Sequence, residues 1–156
     1  MMRLALVRHA KSDWGDPTLP DHDRPLNDRG RGDAPRMAAR LAETGFRPDV
    51  ILASTAVRAR TTAGFFSKEF GTAIELQERL YGAPASVLLE AAAESAVAAV
   101  IVVAHDPGMS VLAARLSDGG IAHMPTCAVA TFTWDADDWD AATALDPDDW
   151  TLDTPR

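Results

Sequence analysis

The stretch Leu4-Ala5-Leu6-Val7-Arg8-His9-Ala10 decides how this chain is read. Its four consecutive apolar residues predict a short strand buried on both faces, the habit of a central parallel strand. The run stops abruptly at Arg8-His9. Open parallel sheets bind ligands just beyond the carboxyl ends of their strands, so a charged pair delivered there is a candidate site. Arg8 brings a permanent planar charge suited to phosphate or carboxylate. His9 brings a nitrogen able to act as base, acid or nucleophile.

Similar strands recur along the chain. Val50–Ala53 is a second apolar strand, ended by Ser54-Thr55, and Ala98–Ala104 is the most apolar run, ended by His105-Asp106-Pro107-Gly108. Ala73–Leu76 reads as a weaker strand near an edge, Cys127–Trp134 alternates as a strand, and Thr143–Leu145 is a candidate for one more. Helices are expected between them. One opens at Asn27 or Asp28 and ends at Gly45, with Pro35 predicting a kink or a delayed start. Others cover about Ala56–Lys68, Pro84–Ala93 and the stretch from after Gly108 to about Leu116. Ala10–Pro25, rich in Pro, Asp and Gly, reads as a long loop beside the site. This alternation implies an α/β domain: a three-layer α/β/α sandwich with a mostly parallel sheet of five to six strands. Residues 1–156 are read as a single domain whose acidic tail, from about 135, is partly frayed.

Composition narrows the function. The net charge is −8, with 15 Lys and Arg against 23 Asp and Glu, which argues against nucleic acid as a partner. The charge is uneven: residues 1–79 are net +2 and residues 80–156 net −10. An anion site in the first half therefore fits an acidic chain. No apolar run is long enough to span a membrane and the first residues do not read as a signal peptide. The single cysteine, Cys127, fits a reducing compartment, and a cytoplasmic location is expected.

The chemistry concentrates at one edge. In a parallel sheet the strands ending in Arg8-His9, Ser54 and His105 finish on the same side, so the two imidazoles face one cavity. Arg58 lies in the first turn of the following helix, where backbone N–H groups and the helix dipole favour an anion. Arginine forks match phosphoryl oxygens bidentately. Other readings of these residues remain open at this point. Asp21, His22 and Asp23 with His105 and Asp106 form a possible zinc or manganese set, though without an HExxH-like helical pairing. Ser54 lacks the GxSxG elbow of a serine nucleophile. Each histidine also has a purely structural reading, His22 and His123 as loop residues above all. Cys127 reads as a small apolar filler.

Four motifs in order carry a family resemblance: Leu6-Val7-Arg8-His9-Ala10-Lys11-Ser12, Arg24-Pro25-Leu26-Asn27-Asp28-Arg29-Gly30, Ser54-Thr55-Ala56-Val57-Arg58-Ala59-Arg60-Thr61, and Ala104-His105. Together they resemble the histidine phosphatase superfamily, the phosphoglycerate-mutase-like fold. Small size and the Asp-His-Asp-Arg-Pro-Leu-Asn spelling resemble its SixA-like phosphohistidine phosphatase branch. The resemblance implies that His9 is the nucleophile, transiently phosphorylated, while Arg8, Arg58 and a protonated His105 bind the phosphoryl oxygens. It implies no metal and no cofactor. The motif glycine is Ala10 here. The asparagine usual six residues after the nucleophile is Gly15, which leaves Ser12 as a substitute phosphate contact. No proton donor stands out; Glu78 and Tyr81 are candidates, with Asp21 or Asp23 from the loop.

A weak general acid matters less for phosphohistidine, whose P–N bond is labile once protonated, than for an alcohol phosphate. The expected activity is therefore a metal-independent phosphatase acting on phosphohistidine of a protein, so the partner is a phosphorylated protein or a small phosphorylated compound. The alternatives are a small-molecule phosphomonoesterase or mutase of the same fold, and a catalytically weak phospho-ligand binding protein.

Overall fold

A computed structural model describes residues 1–156. β1 (Met2–Arg8), β2 (Val50–Ala53), β3 (Ile74–Leu76), β4 (Ala99–Ala104), β5 (Val129–Trp134) and β6 (Asp149–Asp153) form one sheet in the order β3-β2-β4-β1-β5-β6. β3, β2, β4 and β1 run parallel, β5 lies antiparallel to β1, and β6 antiparallel to β5. The mostly parallel sheet of six strands agrees with the sequence reading.

Alternation along β1 sorts its side chains between two cores. Leu4 and Leu6 pack on one face with α3 (Ala85–Glu94), α4 (Gly108–Leu116) and Trp139 of α5 (Trp139–Thr143). Ala5 and Val7 pack on the other with α1 (Asp28–Glu43) and α2 (Val57–Phe70). Leu4 through Val7 are fully buried, the expected state of a strand covered by helices on both sides. β4 is buried along its whole length for the same reason.

α1 begins at the predicted cap, where the Asn27 side chain accepts from the Gly30 N–H at 2.9 Å. It runs through Pro35 to Glu43 without a delayed start. The Asn27 N–H donates to the Lys11 carbonyl at 3.0 Å, so this helix start is seated on the segment that leaves β1. A Cβ at Gly30 would lie 2.2 Å from the Lys11 carbonyl oxygen. Only glycine permits that approach.

Three expectations are corrected. Thr143–Leu145 is not a strand: residues 139–143 are helical, and the sixth strand lies later, at Asp149–Asp153. Cys127 does not belong to β5, which starts at Val129. Instead Cys127 turns with φ +62°, its N–H donating to the carbonyls of Arg8 and His9, both at 3.1 Å. The residues beyond 135 are not a frayed tail, because side chains fix them to the body. The Trp139 indole N–H donates to the Val97 carbonyl at 2.6 Å, and Arg156 reaches the buried Asp33 of α1 at 2.7 Å. Arg40 pairs with Asp153. The acidic stretch meets arginines that α1 holds ready.

Gly30→Ala is expected to lower the unfolding free energy by about 1–3 kcal/mol through overpacking. Urea denaturation checks this as a lower midpoint at unchanged slope.

Candidate active site

The register of the sheet builds the site. β1 and β4 pair so that Arg8 sits beside Ala104, and the ladder continues one step, with the His9 N–H donating to the Ala104 carbonyl at 3.1 Å. β2 ends level with them, the Ser54 N–H donating to the Val103 carbonyl at 3.0 Å. His9, His105 and Ser54 therefore emerge side by side. The two imidazole centroids lie 5.1 Å apart, and the Tyr81 ring stands edge-on to His105 at 5.5 Å.

His9 is 7% exposed, and its Nδ1 lies 2.8 Å from the Ala10 carbonyl oxygen. A carbonyl only accepts, so Nδ1 carries the proton and Nε2 presents a lone pair. Burial pushes the His9 imidazole down to about 3, with His105, Arg58 and Arg8 adding repulsion and the Ala10 carbonyl opposing. At neutral pH the His9 imidazole is uncharged. His105 is also lowered, to about 4, by burial first and then by Arg58. The expectation of a protonated His105 is thus corrected for the free site: beside Arg8 and Arg58, a further cation on a buried ring is unfavourable.

The arginines are held by their outer nitrogens. Arg8 Nη1 donates to the Met124 carbonyl at 2.9 Å and lies 3.5 Å from Asp106. Arg58 donates through Nη1 to the Asp21 carbonyl at 2.7 Å and through Nη2 to its carboxylate at 3.0 Å. The inner nitrogen of each is left over. Three buried side-chain polar atoms in the molecule lack a partner, and they are Arg8 Nε, Arg58 Nε and His105 Nδ1. Orphaned donors of this kind are costly in a native fold and mark a place built for an acceptor.

The loop Ala10–Pro25 supplies residues that sequence reasoning underrated. A short 3₁₀ turn at Asp21–Asp23 puts Asp21 among Arg58, Arg24 and Tyr81, whose hydroxyl donates to its carboxylate at 2.6 Å. The Tyr81 bond and the arginines hold this carboxyl well below its usual range despite some desolvation, so Asp21 is a fixed anion and not a ready acid. Its bond to Tyr81 in turn raises the phenol. Arg24, 6% exposed, donates to Ser12 Oγ at 2.6 Å and lies 3.5 Å over the centre of the Trp14 ring. His22 Nε2 meets Thr55 Oγ1 at 2.8 Å, and the ring packs edge-on against Tyr81. Buried Thr62 accepts from the Ala10 N–H at 3.0 Å and donates to the Arg58 carbonyl at 2.8 Å.

The structure thus brings together Arg8, His9, Arg58 and His105, with Tyr81 and Asp21 at the rim. Ser12 is buried nearby and turned toward Arg24. Glu78 is exposed on the 3₁₀ turn Glu78–Leu80, and no hydrogen bond or ion pair joins it to the cluster. Only the dense Asp, His and Arg spelling of residues 21–24 could have flagged the Asp21–Arg24 pair. Asp21, His22, Asp23, His105 and Asp106 do not converge as a metal-ligand group. Surface cavities of about 420 and 490 Å³ exist elsewhere, lined by none of these residues.

A neutral imidazole beside two arginines whose Nε atoms lack partners, at a parallel sheet's edge, suits a phosphoryl group. Residues 4–82 match the model of the histidine phosphatase superfamily (branch 1). The candidate phosphohistidine phosphatase SixA from Agrobacterium tumefaciens is 32% identical, with TM-score 0.76 over 84% of this chain and 91% of that one. An uncharacterized chloroplastic protein of Arabidopsis thaliana is 29% identical over 96% of this chain and 75% of its own length. A 2,3-bisphosphoglycerate-dependent phosphoglycerate mutase of Clavibacter michiganensis is 36% identical over 51% of this chain and 36% of that protein. The chain belongs to the histidine phosphatase superfamily, in its SixA-like branch. No helix is long and apolar enough to cross a membrane.

The His9 shift predicts a pH effect on stability. The unfolded imidazole binds a proton near 6.5 and the folded one only near 3. Between those values the unfolded state holds more protons, so this group's contribution is complete above about pH 6.5 and is lost as the pH falls toward 3. His9→Gln should flatten the loss between about pH 6.5 and 4 by on the order of 2–3 kcal/mol, measured by denaturant titration at each pH.

Proposed function

We propose that this protein is a metal-independent phosphatase that transfers a phosphoryl group to His9 and then to water, with phosphohistidine of a protein as substrate. The observation that carries the reading is that the three buried side-chain nitrogens without a partner belong to Arg8, Arg58 and His105, the residues gathered beside His9. In the first step the Nε2 lone pair attacks phosphorus in line and the P–N bond to the substrate imidazole breaks. The leaving nitrogen takes a proton, for which the Tyr81 hydroxyl at the rim is the candidate donor. In the second step water attacks phosphorus and the bond to Nε2 breaks. Inorganic phosphate leaves, the proton released by water returns to the donor, and His9 is regenerated neutral.

Arg8, Arg58 and His105 act on the phosphoryl oxygens, whose charge they stabilise in both steps. The guanidinium groups supply the permanent charge that a divalent ion provides elsewhere, which is the chemical basis of the metal-independent reading. An arriving phosphoryl dianion also favours a proton on His105, offsetting the burial that keeps the free imidazole neutral. A phosphoramidate is preferred because the rim offers a phenol, tied to Asp21, and no carboxylic acid ready to protonate an alkoxide. The lone cysteine fits a reducing compartment, the cytoplasm in this reading. A small-molecule phosphomonoesterase or mutase is the second reading, favoured by the likeness to the phosphoglycerate mutase.

The test is the mass of the protein after brief exposure to phosphoramidate at neutral pH without metal. An acid-labile, base-stable adduct that disappears in His9→Ala supports the histidine route. No adduct, with activity appearing only on added manganese or zinc, overturns it, and absence of both adduct and turnover points to a binding protein. Faster turnover of a sugar phosphate than of a phosphohistidine protein would favour the second reading. Arg58→Ala should lower kcat/KM at least about a hundredfold, the scale of one lost transition-state donor.

A further inference from the structure

Ser54 stands at the end of β2, fully buried, and the phosphoryl transfer described above gives it no part. Its hydroxyl has two contacts. Oγ lies 2.7 Å from His105 Nε2, and it accepts from the Ala56 N–H at 3.3 Å. A serine hydroxyl has one proton to give and two lone pairs. The Ala56 N–H occupies one lone pair, and the one acceptor within reach of the hydroxyl proton is His105 Nε2. If Nε2 carried a proton instead, Oγ would accept twice and its own proton would be stranded on a fully buried side chain.

We propose that Ser54 is a positioning residue that fixes the tautomer of His105, donating to Nε2 so that the neutral ring keeps its proton on Nδ1, aimed at the phosphoryl oxygens. The assignment rests on the phosphatase reading for its consequence and on the hydrogen-bond geometry for itself. It makes the two imidazoles complementary. His9, fixed by the Ala10 carbonyl, shows a lone pair, and His105, fixed by Ser54, shows a donor. Nδ1 of His105 is the buried, partnerless atom identified above. No positive charge on His105 is then needed for it to bind an oxyanion.

The role predicts a signature in pH. Groups facing His105 are His9 and Arg8 from the end of β1, Arg58 from α2, Asp21 and His22 from the 3₁₀ turn, and Tyr81. None of them offers Nε2 another hydrogen bond. Without the Ser54 hydroxyl, the proton is free to move to Nε2, which turns a lone pair toward the phosphoryl group. Only a second proton restores the donor, so the defect should shrink as the pH falls.

The experiment compares kcat/KM for phosphoramidate in wild type, Ser54→Ala and Ser54→Thr from about pH 5 to 8.5. Taking the ratio at each pH cancels the substrate's own titration. Ser54→Ala is expected to lose at least about tenfold near pH 8 and to regain part of it as the pH falls toward 5, while Ser54→Thr, which keeps the hydroxyl, stays closer to wild type throughout. A loss equal at every pH would mean a merely structural serine and would overturn the assignment. Nitrogen-15 NMR of the His105 ring in the folded, phosphate-free wild type reads the tautomer without turnover or substitution. Before phosphate is added, a neutral ring protonated on Nδ1 agrees with it; a ring protonated on Nε2, alone or together with Nδ1, refutes it. Because the NMR result does not depend on hydrolysis, failure of this assignment and failure of the phosphatase reading are separate outcomes.

Discussion

The parallel pairing of β1 with β4, in the register that sets Arg8 beside Ala104, is the constraint on which the rest depends. It ends both strands level, so His9 and His105 leave the sheet together with their rings 5.1 Å apart. A slip of one residue would turn every β1 side chain to the opposite core, exchanging Leu4 and Leu6 with Ala5 and Val7. The volumes on the two sides differ too much for that. Hydrophobic burial along β1 therefore fixes the chemistry at its end, and the site inherits the precision of the core.

Electrostatics then decides how the site is used. Placing two buried imidazoles beside the partly buried Arg8 and the buried Arg58 keeps both rings neutral, because burial and the arginine charges each disfavour a further proton. Asp21 balances Arg58 and Arg24 while leaving Arg58 Nε without a partner. The fixed charge available to an oxyanion comes from the arginines. The histidines divide the remaining work by tautomer, one offering a lone pair and the other a hydrogen-bond donor.

Much of this was legible in the sequence because buried strands have a strong signature. Val50–Ala53 matched its observed strand, and the most apolar run, Ala98–Ala104, began one residue before it. The helix expected after Gly108 and ending near Leu116 is present, starting at Gly108 itself. The reading failed where no apolar pattern speaks. Trp139–Thr143 and Asp149–Asp153 are acidic and partly exposed, and they fold because Val97, Asp33 and Arg40, distant in sequence, receive them. Cys127 was placed in β5 by its neighbours, yet a turn with positive φ holds it before the strand.

The sequence by itself determined the order of strands and helices as far as β5, the delivery of Arg8, His9, Arg58 and His105 to one edge, and the family, since these are encoded in local runs of apolar residues followed by charged ones. Tertiary structure alone decided the protonation of the histidines, the place of Asp21, Arg24 and Tyr81 around Arg58, and which nitrogen of each arginine remains free. Those properties arise from burial and from contacts between segments far apart in the chain. A residue's charge state and hydrogen-bond partner are set by what surrounds it, and no local pattern records that.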